Sequence, residues 1–389
     1  MKKDENHQII EGIHYETLKP VRIEIINGLI RRVDEISGQD NRDINLFVAP
    51  GLIDNQINGY SGVDFSGDKL TTDGIVRATK EIWKDGATSY MPTILTNSHE
   101  NLIKNFKAFN EAVSTEICLQ DSIFGFHLEG PYISPEDGFR GCHPIGHVRK
   151  PSWKEFMTYQ EASGGRIIQV TLAPEIEGAM EFIRECVQNG IIVAIGHTNA
   201  SSVQITEAVD AGARISTHLG NGCANFIHRH NNPIWPQLAN EMLTATLIAD
   251  GHHLTPDEIN VFYKVKGQGN IILTSDVIYL GGMPPGRYSF LGSDVVLTEE
   301  GMLINPELNV LAGASFPLKR GVENMMSFTK CTLSAAVKMA SQNASSIYKL
   351  TDRGILEPGT RADLILFEKH GSQIKIERTF LRGKLVFQT

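Results

Sequence analysis

From residue 51 to residue 277 one pattern repeats eight times, a short apolar run followed by a longer amphipathic stretch. The runs are GLIDNQI (51–57), ATSYMPTIL (87–95), SIFGFHLEG (122–130), IIQVTLAPE (167–175), IIVAIGHT (191–198), RISTHLGN (214–221), LTATLIADG (243–251) and NIILTSDV (270–277). Near-continuous apolar runs read as strands buried on both faces, and the amphipathic stretches between them as the helices of βα units. Eight parallel strands close on themselves, so the expected architecture is an α/β fold, a (β/α)8 TIM barrel. A doubly wound sheet would show the same alternation, but the first βα turn has no G-x-G-x-x-G. The position of the polar residues also favours the barrel. Glu129, Glu175, His197, His218, Asp250 and Asp276 each fall at or just past the C-terminal end of a run, the rim where such barrels keep their chemistry.

Both chain ends have a different texture. VRIEIINGLIRRVDEI alternates about Asn27-Gly28, and the last stretch has turns at His370-Gly371 and Arg382-Gly383. These are hairpin signals. The expected organisation is a barrel over 50–349 and a small β-sandwich built jointly from 1–49 and 350–389.

The bulk numbers bound the function. A 389-residue chain, 41% hydrophobic, can bury a large core. A net charge of -9 without a Lys/Arg-rich run argues against a nucleic-acid surface. The start of the chain turns polar where a signal peptide needs an apolar stretch, and no run of eighteen apolar residues offers a membrane span. Five scattered cysteines without a C-x-x-C pair read as reduced thiols and a cytoplasmic location.

A divalent ion wants a few O and N ligands converging from rigid elements, with one position left open. Glu129, His197 and His218 supply a carboxylate and two imidazoles from three strand ends. Asp276, one strand beyond His218's neighbour, faces the same opening. A carboxylate there can take a proton from an attacking water and return it to a leaving nitrogen, the chemistry of an amide hydrolase. Each residue also has a plainer explanation. A single histidine is more often a hydrogen-bonded one than a ligand, Glu129 could be a rim ion-pair partner, and Asp276 could cap the next segment. Convergence of four strand ends outweighs those readings. Cys142 and Cys223 have no base beside them and read as small loop residues rather than nucleophiles. His228-Arg229-His230, a basic tripeptide in an acidic chain, is a candidate anion contact. A Schiff-base barrel would need a lysine at a strand end, and none of the eight carries one. A non-catalytic barrel would be expected to have lost at least one of the four residues.

The motifs FHLEGPYISPEDGFRGCH, IGHTNAS, STHLGNG, LIADGHHL, LTSDVIYLGGMPPGRY, VLAGASFPL and GILEPGTRADLILF, in that order, resemble the N-acetylglucosamine-6-phosphate deacetylase family of the amidohydrolase superfamily. The resemblance spans about residues 48–366. It implies a barrel with a β-sandwich from both ends, a homodimer, and hydrolysis of the acetamide of a phosphorylated N-acetyl amino sugar. Carried onto this chain, it makes Glu129, His197 and His218 the metal ligands, Asp276 the general base and acid, and His143 the group that polarises the acetyl carbonyl, with Arg140 as an alternative. Cys142, Asn221, Gly222 and His253 would contact substrate, the last three around its phosphate. Arg229 would reach a phosphate across the dimer, and Leu311, Ala312 and Gly313 would line the pocket through their backbone. The cofactor implied is one divalent ion per subunit, Zn2+ first, with Fe2+, Mn2+ or Co2+ as alternatives. Some family members carry His-x-His on the first strand and can hold a second ion; Gln56 and Asn58 replace it here, so that second position is expected to be empty. The loop LGNGCANFIHRHNNPIWPQL departs from the family wording, which leaves open another N-acyl amino sugar or a cyclic amide as substrate.

Overall fold

The computed structural model describes residues 7–37, 44–290, 293–307 and 310–389. The polar start that weighs against a leader includes residues 1–6, which lie outside the described residues. Each of the eight apolar runs contains a strand. In chain order these are Leu52–Ile57 (β1), Ala87–Leu95 (β2), Phe126–Glu129 (β3), Ile167–Leu172 (β4), Ile192–Ile195 (β5), Ile215–Ser216 (β6), Thr244–Ile248 (β7) and Ile271–Thr274 (β8). They lie side by side in sequence order and pair in parallel throughout. Every residue of β2 is buried, as the unbroken apolar run requires of a strand covered on both faces.

The barrel closes between β1 and β8 at their C-terminal ends. Asp276 N–H donates to Gln56 O at 3.0 Å and Asn58 N–H to Val277 O at 2.8 Å, with a parallel bridge between Ile57 and Val277. This seam is made by residues the sequence placed at the rim.

The crossover helices start at recognisable caps. Thr71 caps Thr72–Lys84 by accepting from Gly74 N–H at 3.1 Å. Thr255 and Glu258 form a reciprocal capping box at the start of Pro256–Lys266. At the other end of that helix the ammonium of Lys266 donates to the carbonyls of Gln237, Asn240 and Leu243 at 2.6–2.9 Å.

The chain ends meet in one seven-stranded sheet apart from the barrel. Phe47–Pro50 is its pivot: it pairs in parallel with His7–His14 and antiparallel with Leu364–His370. The sheet bends back on itself, so that Ile30 N–H bonds Thr360 O and Gly383 N–H bonds Ala362 O. Both Asn27-Gly28 and Arg382-Gly383 have positive φ at each residue (53° and 81°, 46° and 71°), the twist a two-residue hairpin needs. The two turns pack on each other. A Cβ at Gly28 would stand 2.7 Å from Arg382 O, so glycine is required there by contact as well as by conformation.

One element was not anticipated. After β8 the chain forms a four-stranded antiparallel sheet of Gly286–Phe290, Ser293–Leu297, Leu303–Asn305 and Val310–Leu311. Its buried Phe290, Val295, Leu297 and Leu303 pack with Leu280 and with Leu95 at the end of β2. Among the described residues no helix is long and apolar enough to cross a membrane.

Candidate metal centre and active site

Four of the sequence candidates converge at the rim. Glu129 Oε1 lies 3.2 Å from His197 Nε2 and 3.0 Å from His218 Nε2, and the two nitrogens are 3.1 Å apart. Ligand atoms about 2.0–2.1 Å from a tetrahedral zinc stand roughly 3.3 Å from each other. The triangle is therefore close to one face of such a tetrahedron. All three side chains are buried.

The hydrogen bonds around this trio decide its chemistry. His197 Nδ1 faces Phe139 O at 3.1 Å. A carbonyl only accepts, so Nδ1 carries the proton, and the tautomer this selects has its lone pair at Nε2. That lone pair meets a carboxylate oxygen and a second imidazole nitrogen. Three electron-rich atoms turned on one another in a buried site call for a cation among them, and the donor set fits a divalent one.

His197, His218 and Asp276 share a backbone feature. Their φ values are 50°, 31° and 52°, in the left-handed region that non-glycine residues rarely enter. Such conformations cost on the order of 1–3 kcal/mol each and gather where the surrounding structure enforces them for function. Here each lies two residues past the end of a strand and turns its side chain over the barrel mouth. Gly222 and Gly141 leave room for the His197 ring. A Cβ at Gly222 would come within 2.9 Å of His197 Nδ1, and one at Gly141 within 3.1 Å of Cε1.

Asp276 is gripped by two amides, Gln56 on β1 and Asn58 just past its end. Gln56 Nε2 donates to its Oδ1 at 2.8 Å and Asn58 Nδ2 to the same oxygen at 2.7 Å. The same Gln56 nitrogen also reaches Glu129 Oε2 at 2.9 Å. Burial, and then the nearby Glu129 charge, push Asp276 up to about 6.

His143 flanks the trio, its ring 4.4 Å from that of His197. Ligand atoms of Glu129, His143 and His197 lie within 4.8 Å of one another, a looser set than the His218 triangle. Burial and the adjacent His197 push His143 down to about 3, so its ring is neutral. Thr96 Oγ1 sits 2.7 Å from His143 Nδ1 and only 3.5 Å from Glu129 O. Glu129 O can only accept, so Thr96 Oγ1 bonds both groups at once when His143 Nδ1–H donates to it; a hydroxyl proton given to Nδ1 instead leaves Nε2–H as a donor. Arg140 is otherwise engaged: its guanidinium bonds His143 O, Pro135 O and Asp137. It braces the loop that carries His143.

The remaining candidates are placed less closely. Asn221 and Gly222 border a small recess beside His197, and the Asn221 amide nitrogen is buried without a partner. Cys142 is exposed beside His143 and is a free thiol. Asp250 accepts His253 Nδ1–H at 2.7 Å. Leu311 to Gly313 come off the last strand of the four-stranded sheet, and Ala314 O then accepts Ile278 N–H, which lays this stretch beside the Asp276 segment. Arg229 is exposed, and its guanidinium makes no hydrogen bond or ion pair among the described residues; only its carbonyl is used, by Trp235. His228 turns its Nδ1 to the amides of residues 230 and 231 and so closes its own loop.

Glu175 was seen at a strand end without a role. It bonds the Thr198 hydroxyl and the Asn199 amide, fixing the turn that starts at His197. Thr96 gave no signal at all in the sequence, since a threonine before a helix cap is ordinary.

The profile of the amidohydrolase family matches residues 47–386. A relative from Lysinibacillus sphaericus, N-acetylglucosamine-6-phosphate deacetylase, is 32% identical over 360 residues, covering 92% of this chain and 88% of its own. The crystal structure of N-acetylglucosamine-6-phosphate deacetylase from Thermotoga maritima superposes with a TM-score of 0.86 at 26% identity, covering 98% of this chain and 100% of that one. A mutant of the Mycobacterium smegmatis enzyme in complex with N-acetyl-D-glucosamine-6-phosphate superposes equally, with a TM-score of 0.86 at 25% identity over 98% of this chain and 99% of that one. Profile, sequence and fold agree over nearly the whole length with the site just described, and the chain belongs to the N-acetylglucosamine-6-phosphate deacetylase family of amidohydrolases.

Proposed function

We propose that this protein hydrolyses the acetamide of N-acetylglucosamine 6-phosphate, releasing acetate and glucosamine 6-phosphate, with one divalent ion held by Glu129, His197 and His218. The observation that carries the reading is the buried triangle of Glu129 Oε1 and two imidazole nitrogens with Asp276 across the barrel seam. An ion on those three atoms, Zn2+ being the expected one for two nitrogens and an oxygen in a tetrahedral face, supplies Lewis acidity toward the acyl oxygen and the attacking water.

The chain's own groups do the rest. Asp276 Oδ1 is saturated by two amide donors, so Oδ2 takes the proton from the attacking water. The same oxygen then protonates the leaving nitrogen, and the pair of transfers returns Asp276 to its starting state. His143 Nε2–H donates to the acyl carbonyl. In this reading the Thr96 hydroxyl donates to His143 Nδ1 and leaves the Nε2–H tautomer. Gln56 and Asn58 occupy with amides the place where a second ion would need imidazoles, which supports a single ion per subunit.

Asn221, Gly222 and His253 face the phosphate in this reading, with Cys142 and the backbone of Leu311, Ala312 and Gly313 along the sugar. Arg229, exposed on its loop, serves the active site of a second copy in a homodimer. Five unpaired cysteines support a reducing, cytoplasmic setting. The test is acetate release from phosphorylated and free N-acetylglucosamine and N-acetylgalactosamine, with bound metal quantified on the same sample. Release from the 6-phosphate of N-acetylglucosamine at the highest kcat/KM supports the proposal. Release only from a different N-acyl substrate overturns it.

A further inference from the structure

The interior of a (β/α)8 barrel is ordinarily filled by layers of branched apolar side chains. One layer of this barrel is polar. His127 on β3, Thr171 on β4 and Thr217 just past β6 are all buried, and they bond one another in a row. Thr171 Oγ1 is the middle of the row, 2.7 Å from His127 Nε2 and 2.8 Å from Thr217 Oγ1. On the other edge of the imidazole, Nδ1 meets Thr93 Oγ1 at 3.2 Å, and that hydroxyl lies 3.4 Å from Met91 O. Met91 O can only accept, so Thr93 bonds both neighbours at once when His127 Nδ1–H donates to it. In that arrangement Nε2 accepts the Thr171 hydroxyl, Thr171 accepts from Thr217, and every link is satisfied.

The row runs beneath the three ligand side chains. Glu129 follows His127 by two residues, so the two side chains share a face of β3. Thr171 stands opposite Glu129 in the register of β3 and β4, and its carbonyl accepts Gly130 N–H at 3.1 Å. His218 comes directly after Thr217 in the chain, and His197 directly after Gly196. Gly196 is wedged between the two threonines: a Cβ there would lie 2.8 Å from Thr171 Cγ2 and 2.8 Å from Thr217 Cβ. Every ligand is thus one or two residues from the row or from the glycine it confines. Valine has the shape of threonine and would fill this layer, so packing alone does not call for hydroxyls, and a buried hydroxyl stabilises nothing unless it is bonded.

We propose that Thr171 is a positioning residue for the metal centre. Its hydroxyl, bonded to His127 and Thr217, holds the strands that carry Glu129 and His218, and through Gly196 the turn that carries His197, at the spacing a divalent ion requires. The inference rests on the three-ligand reading of the site and on no particular substrate.

The test uses the full chain, stripped of metal and reloaded with Zn2+ or Co2+. Thr171→Val keeps the shape and leaves His127 Nε2 and Thr217 Oγ1 without their shared partner. Its Zn2+ affinity, read by competition with a chelator, should fall about 10–100-fold, the range for losing a group that supports a ligand, whereas Thr171→Ser should stay within about threefold of the unaltered protein. The visible absorption of the Co2+ form follows ligand geometry, so it should change in Thr171→Val and match the unaltered protein in Thr171→Ser. Unchanged affinity and spectrum in Thr171→Val would overturn the role even if that variant melts earlier, and would leave Thr171 as a packing group. A loss as large in Thr171→Ser as in Thr171→Val would also overturn it, because the methyl and not the hydroxyl would then be responsible. An unaltered protein that takes up no ion overturns the ligand reading and this inference with it. One ion in the unaltered protein, held as tightly by Thr171→Val, overturns the inference alone.

Discussion

Gln56 Nε2 donates to Asp276 Oδ1 at 2.8 Å, across the seam where the first and last barrel strands meet. Since the same nitrogen holds Glu129 Oε2 at 2.9 Å, one amide bridges the two carboxylates. Gln56→Leu should lower kcat roughly 10–100-fold, within the range a mispositioned general base forfeits, with one equivalent of metal still bound. Steady-state kinetics beside elemental analysis would show it. Loss of the metal in step with activity would mean that Gln56 serves the ligands and not the base.

Asp276→Asn removes the proposed base and leaves Glu129, His197 and His218 untouched. Metal content should stay at one per chain, and kcat should fall by about 100–10,000-fold. Turnover near the unaltered level would contradict the assignment of Asp276. Finding two ions per chain in the unaltered protein would contradict the reading of Gln56 and Asn58.

Gly222→Ala forces a side chain into a left-handed position and brings its Cβ within 2.9 Å of His197 Nδ1, where Phe139 O is the ring's partner. The ring must shift or the loop must yield. Metal affinity should drop about tenfold or more, in line with disturbing the outer partner of a ligating histidine. Titration against a competing chelator would read it, and an unchanged affinity would show that the loop absorbs the added atom.

Asp54, fully enclosed beneath the seam, is pushed up to about 6 by burial, from an ordinary 3.8. Its folded value lies above the unfolded one, so the folded state binds this proton more tightly. Stability from this group is therefore greatest below about pH 4 and declines as pH rises through about 6. Two units correspond to about 3 kcal/mol as an upper bound for one group. Gln56 N–H, Thr274 Oγ1–H and Ser275 N–H all donate to the single oxygen Oδ1. Asp54→Asn can keep all three. It should melt at a higher temperature than the unaltered protein at pH 7 and approach it at pH 4, by calorimetry at both values. A lower melting temperature at pH 7 would show that the charge is compensated.

The barrel and its rim were legible because β1 to β8 are unbroken apolar runs that end in polar residues, and strand ends are where this fold exposes side chains. The convergence of Glu129, His197 and His218 followed from the same rule. The seam was not legible, since Gln56 and Asp276 are 220 residues apart and nothing local couples an amide on the first strand to a carboxylate after the last. Nor were the left-handed positions of His197, His218 and Asp276, because tertiary contacts rather than residue type enforce them. The four-stranded sheet over 286–311 escaped because its strands run only two to five residues, too short for alternation to stand out. Thr96 escaped for a related reason: its contact with His143 is made by a loop from another βα unit.

The terminal sheet has a consequence for how the protein is made. Its pivot, Phe47–Pro50, lies between a partner synthesised before it and one synthesised more than three hundred residues later. Throughout translation of the barrel that strand keeps one open edge, a place where another nascent chain could add itself. Only when the ribosome releases the last strands does the edge close, so a chain cut short after the barrel would carry a complete catalytic rim and an unsealed flank.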